Sequence, residues 1–219
     1  MSNPLKGGEK SMRIEIRSDS VILDGYVNAT NRESRVLPSP KGPFVEQIMP
    51  RTFERALMTN PNVELLFNHD KNRKLGSTAT GELQLREDNI GLRATATITD
   101  TEIIDKARKN ELRGWSFGFQ ALRDNWQTRE DGMAKRTVEE MYLAEVSVLD
   151  KVPAYIATSI EARGEEDVLT ENRLEEFTAV IEDNSAQKTE DKTENRANTE
   201  TIDYSMYEHE LTYLQLRGL

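Results

Sequence analysis

Apolar and polar side chains alternate with a period of two along much of the first three quarters of the chain. Met12-Arg13-Ile14-Glu15-Ile16-Arg17 is the plainest case, the pattern of a strand buried on one face. Residues 21–27 continue in strand-like composition, with Gly25 placed for a bulge. Residues 31–43 hold Pro38, Pro40, Gly42 and Pro43 and read as a loop. Residues 50–58 switch to a helical period, with Phe53, Ala56 and Leu57 on one face, and Asn60-Pro61-Asn62 stops that helix. Val63-Glu64-Leu65-Leu66-Phe67 is a short apolar run that predicts a strand with His69 at its exposed end. Residues 82–85 and 92–98 alternate on either side of a polar turn and predict a hairpin.

Asp100 or Thr101 is placed to cap a helix running to about Leu112, acidic in its first turn and basic at Arg108 and Lys109. A strand over residues 114–120 follows, then a polar turn region over 125–134. Residues 137–149 predict one further strand or two joined by a kink, and residues 154–160 the last. No alternating strand–helix rhythm is present, so the expected class is a β-rich α+β fold, an antiparallel sandwich or barrel with peripheral helices. Beyond it, residues 164–183 return to a helical period through Val168, Leu169, Leu174, Phe177, Val180 and Ile181. Residues 184–201 are polar and low in complexity, the composition of a disordered linker, and residues 202–219 end in an amphipathic segment with Tyr204, Tyr207, Leu211 and Leu214. The expected divisions are therefore a disordered leader over 1–11, a folded domain over 12–163, a helical segment over 164–183, and the two tail pieces.

Charge sharpens this division. The net charge is −10, and residues 164–219 hold 15 Asp/Glu against 5 Lys/Arg, which accounts for all of it. A neutral body with an acidic appendage argues against nucleic acid as a partner, because phosphate binding needs a basic surface. Cysteine is absent, which excludes a disulfide framework, a thiolate nucleophile and Cys-ligated zinc. The N-terminus lacks the apolar run of a signal peptide, and no stretch approaches the roughly 18 apolar residues of a membrane span, so a soluble chain without membrane contact is expected.

The candidate chemistry centres on Gly114-Trp115-Ser116-Phe117-Gly118-Phe119. Gly-x-Ser-x-Gly formally matches the nucleophile elbow of α/β-hydrolases, but there the histidine follows the serine, and here the only later histidine is His209 in the tail. The residues after Ser116 also alternate as a strand. Trp115 and Phe117 then anchor the strand in the core while Ser116 points to the other face. The chain has two histidines, so His69 is the one imidazole in the body able to activate a serine. Glu145 stands in the apolar run Leu143-Ala144-Glu145-Val146-Ser147-Val148-Leu149, where a charge must be paired or face outward, and so is the candidate to orient His69. Ser147 shares its strand face and is a rival nucleophile. One body histidine beside Asp70 makes no metal-ligand spacing, and neither metal nor cofactor is expected.

Several of these pieces, in order, resemble the prohead (capsid maturation) proteases of tailed bacteriophages, the HK97 type. They are Gly25-Tyr26-Val27, Phe44-Val45-Glu46-Gln47-Ile48-Met49-Pro50-Arg51-Thr52-Phe53, Leu65-Leu66-Phe67-Asn68-His69-Asp70 with Leu75-Gly76, Gly91-Leu92, the Ser116 hexapeptide, and the Glu145 run with Pro153-Ala154-Tyr155. The resemblance spans roughly residues 12–163. Arg51 stands where many relatives have glycine. The family is similar to the herpesvirus assemblins, which implies an antiparallel β-barrel wrapped by helices. It also implies His69, Ser116 and Glu145 as catalytic residues. The implied activity is that of a serine endopeptidase cleaving the major capsid protein, its scaffold region and itself, in the host cytoplasm inside the assembling procapsid. Homo-oligomerisation is left open. The competing class is a non-enzymatic assembly or scaffolding module on the same fold.

Overall fold

A computed structural model of the chain describes residues 11–39, 41–150, 171–176 and 178–185. The chain divides after Ser185, and the second unit, Ala186–Leu219, lies outside the described residues. In chain order the body runs β1 (Ser11–Ile16), β2 (Val21–Ala29), β3 (Phe44–Ile48), α1 (Thr52–Thr59), β4 (Glu64–Phe67) and β5 (Asp70–Ser77). It continues with β6 (Leu83–Glu87), β7 (Gly91–Ile98), α2 (Thr101–Arg108), β8 (Gly114–Thr128) and β9 (Ala134–Leu149). Two strands close it, β10 (Glu171–Glu176) and β11 (Thr178–Asp183).

The strands form two sheets. One has the order β11-β1-β2-β7-β6, the other β10-β8-β9-β4-β5 with β3 also paired to β9. The β-rich α+β class holds, but the antiparallel barrel does not: no closed barrel forms among the described strands, and β1–β11, β3–β9 and β4–β9 are parallel pairs. Period-two alternation explains the core between the sheets. Met12, Ile14, Ile16, Val21, Leu23, Ala94 and Ala96 supply the inner face of one, and Trp115, Phe117, Phe119, Val146 and Val148 that of the other. The sheets approach closely at Gly25, where a Cβ would lie 3.3 Å from the Trp115 indole nitrogen. The bulge falls just beyond it, between Tyr26 and Asn28.

Both helices expected within residues 12–163 form. In α1, Phe53 and Ala56 are buried, and the Phe53 ring meets Phe117 edge-on at 5.4 Å. Its N-cap, Arg51, has φ 66, a left-handed conformation that glycine adopts without strain. In α2, the Asp100 carboxylate accepts from the Glu102 and Ile103 amides, and the helix stops at Arg108, short of Leu112.

The largest departure lies past the expected domain end. The helix expected over 164–183 is replaced over 171–183 by β10 and β11, which add edge strands to both sheets, so the folded body runs beyond residue 163. Thr178, Val180 and Ile181 are β-branched, and the edges of β1 and β8 offer backbone partners that an isolated helix cannot match. β3 and β5 were not legible either; β5 is a largely exposed, polar strand with little alternation. The strand expected over 154–160, residues 164–170, the leader and the tail lie outside the described residues. No helix of the described residues is long and apolar enough to cross a membrane.

Candidate active site

His69 is delivered by a hairpin turn. Phe67 of β4 pairs with Asp70 of β5, leaving Asn68 and His69 as a two-residue loop with φ 54 and 61. Positive φ at both positions is what a type I′ turn requires, and Asn and His tolerate that region better than most residues. Hydrogen bonds to the end of β9 offset the remaining strain. The Asn68 amide donates to Val148 O at 2.9 Å, and the Asn68 side chain exchanges bonds with Asp150, donating to Oδ1 at 2.8 Å and accepting from the amide at 3.2 Å. Lys106 of α2 bridges to Asp150 at 2.8 Å. The His69 amide donates to Ser147 Oγ at 3.1 Å.

Glu145 sits on β9 and is only 6 % exposed. A carboxylate so removed from water needs partners, and both oxygens have one: Oε1 lies 2.7 Å from His69 Nδ1, and Oε2 accepts from Ser147 Oγ at 2.6 Å. Beside a carboxylate Nδ1 carries the proton, so in the neutral ring Nε2 is the nitrogen left to accept one. Gly118 pairs opposite Glu145 and so sets no side chain beside it on that strand.

Ser116 pairs with Ser147 across β8 and β9, which puts Ser116, Ser147 and Glu145 on one face of the sheet. Trp115 and Phe117 point into the core, as expected. Of the three candidate residues, the fold brings His69 and Glu145 into direct contact. Ser116 lies one strand over, 1 % exposed, and its hydroxyl donates to the backbone carbonyl of Arg173 at 2.7 Å; no hydrogen bond joins it to His69. Ser147 has its proton on Glu145 and its oxygen under the His69 amide, the bonding of a residue that positions the pair. Sequence reasoning placed Ser147 on the right face but missed this bridging role, and the Glu-x-Ser spacing was the available signal. It missed Asn68, Asp150 and Arg173, whose roles depend on which strands meet. Among the described residues no group of His, Asp and Glu side chains could hold a metal ion.

The described arrangement contains a carboxylate-held imidazole and a buried serine on the neighbouring strand, the ingredients of nucleophilic acyl transfer. No curated protein and no solved structure matches the chain. The profile of the caudovirus prohead serine proteases matches residues 10–173, ten residues past the end expected for the domain and up to Arg173 of β10. On that match, covering most of the folded body, the chain belongs to the caudovirus prohead serine protease family.

Proposed function

We propose that the chain is a serine endopeptidase of head maturation in which Ser116 is the nucleophile, His69 its general base and Glu145 the group that orients His69. The observation that carries this reading is the 2.7 Å contact between His69 Nδ1 and a buried Glu145, beside a serine on the same sheet face. With Nδ1–H held by the carboxylate, Nε2 takes the Ser116 proton as Oγ attacks the scissile carbonyl carbon. The tetrahedral adduct collapses to an acyl-enzyme, and His69 returns the proton to the leaving amine. Water, deprotonated by the same imidazole, then releases the acid and restores Ser116. Glu145 stabilises the imidazolium in both halves.

Family membership implies work inside the phage procapsid and contact with capsid or scaffold proteins. The substrates proposed are the major capsid protein, its scaffold region and the chain itself. The acidic residues 186–219 are proposed to dock on the capsid interior. Co-expression with the capsid protein, read by intact-mass spectrometry, tests the assignment. Wild-type chain shortens the capsid protein; Ser116→Ala and His69→Ala, folded by circular dichroism, leave it whole. Full processing by Ser116→Ala removes Ser116 from the mechanism and leaves Ser147 as the serine to test.

A further inference from the structure

Glu46, in the segment Phe44 to Phe53 singled out in the sequence, takes no part in the triad and is nevertheless 3 % exposed. Its carboxylate receives a two-pronged contact from Arg173, Nε to Oε1 at 2.6 Å and Nη2 to Oε2 at 2.7 Å. Arg136 Nη1 donates to Oε2 at 3.1 Å, and Arg136 Nε to Asp124 Oδ2 at 2.6 Å. The Arg173 guanidinium also lies over the Phe119 ring at 5.2 Å. Without Arg173 the buried Glu46 carboxylate keeps Arg136 on Oε2 and loses the contact to Oε1, which suits a second cation.

Arg173 reaches this pocket from β10, which lies antiparallel along the edge of β8 facing away from β9. That is the edge beside Ser116, and adding a strand to a sheet edge is a general way to bind an extended peptide. β10 presents a backbone carbonyl to the Ser116 hydroxyl and the side chain of the same residue to a preformed pocket. A peptide paired along the same edge would bring its scissile carbonyl to Ser116 and the side chain of that residue to the same pocket. The contact is unreactive as it stands, because the hydroxyl proton points at the Arg173 carbonyl oxygen instead of at His69.

We propose that β10 occupies the substrate's strand position, and that Glu46 is a specificity residue that takes an arginine of the peptide, on the residue whose carbonyl meets Ser116. The inference rests on the serine endopeptidase reading. Substrate displaces β10, and the buried cluster selects arginine over side chains that cannot form the fork.

The test uses the full chain and two readouts: labelling of Ser116 by a fluorophosphonate, and turnover of two peptides that differ only by Arg or Met at one position. Arg173→Met removes the charge while Glu46 stays paired with Arg136, so the body keeps its fold by circular dichroism. The expected result is labelling on the order of 10-fold faster in Arg173→Met than in the parent, with Arg173→Lys in between. In Arg173→Met the Arg peptide is cut on the order of 10-fold or more faster than the Met peptide. Adding Glu46→Gln to that variant erases the preference while labelling persists. Equal turnover of both peptides with normal labelling overturns the specificity role and leaves the peptidase reading standing. Labelling no faster in Arg173→Met overturns the resident-strand role. Folded variants whose Ser116 never labels overturn the peptidase reading and this proposal together.

Discussion

Glu145 carries its charge with little water around it, so its substitutions separate charge from shape. Glu145→Gln keeps the volume and can still bond one neighbour, but no anion then stabilises the imidazolium. The expected loss in kcat is on the order of 10³- to 10⁴-fold with the fold retained, measured by peptide turnover beside a thermal melt. Ser147→Ala removes the bond to Oε2 and the acceptor under the His69 amide. About 10- to 100-fold loss is expected, against complete loss were Ser147 the nucleophile. Arg51 offers a stability test. Its left-handed φ costs about 1–2 kcal/mol in a non-glycine residue, against which glycine adds chain entropy and loses an exposed ion pair to Glu54. Arg51→Gly should therefore stabilise the protein by about 0.5 kcal/mol, read from denaturant midpoints at constant slope. At this scale the sequence carried the pairing of His69 and Glu145, because a lone body histidine and a lone charge in an apolar run each needed a partner. It could not carry the bond from Ser116 to Arg173, which spans 57 residues and exists only because β10 joins β8.

The turn between β4 and β5 holds His69 in place through groups that never touch the imidazole. Asp150 ties Asn68 to Lys106, and the hydrogen bond to Asp150 raises the Lys106 pKa above its ordinary value. A raised lysine pKa means that the bridge is fully present below the unfolded-state value and is lost only as pH rises through the higher folded-state value, in alkaline solution. Asp150→Ala should lower kcat by about 10- to 100-fold, through a turn free to shift, with a smaller effect on KM. Gly91, at the start of β7, is a different case. A Cβ there would sit 2.1 Å from the Asn28 carbonyl oxygen. Gly91→Ala should cost about 3 kcal/mol or prevent folding, seen as a lower unfolding midpoint or loss of soluble protein. Strands with a buried face and the capped α2 were legible because alternation and a capping Asp are local signals. β5, β10 and β11 were not, because exposed or edge strands are chosen by the neighbour that accepts their backbone.

Across the whole molecule, the parallel pair β1–β11 brings the first and last described strands together, with Ser11 opposite Thr178 and Ile16 opposite Asp183. The charge step near residue 164 suggested that the folded body ends there, but acidity marks composition, and Glu171–Asp183 is acidic and paired. Truncation separates the two views. A chain ending at Ser185 should melt where the full chain does, whereas one ending at Glu176 loses β11 and should melt about 5–10 °C lower by calorimetry. The expected barrel failed for a related reason: alternation shows that strands bury one face, not whether the edges of their sheets meet.

The parallel and edge pairings also set an order in time. Ser116 leaves the ribosome well before Arg173, so the β8–β9 hairpin can form while the strand that later covers the serine is still unmade. At bacterial elongation rates of about 5–20 residues per second, the 28 residues from Glu145 to Arg173 occupy roughly 1.5–6 s. A chain interrupted in that interval carries the serine, the imidazole and the carboxylate with no resident strand beside them.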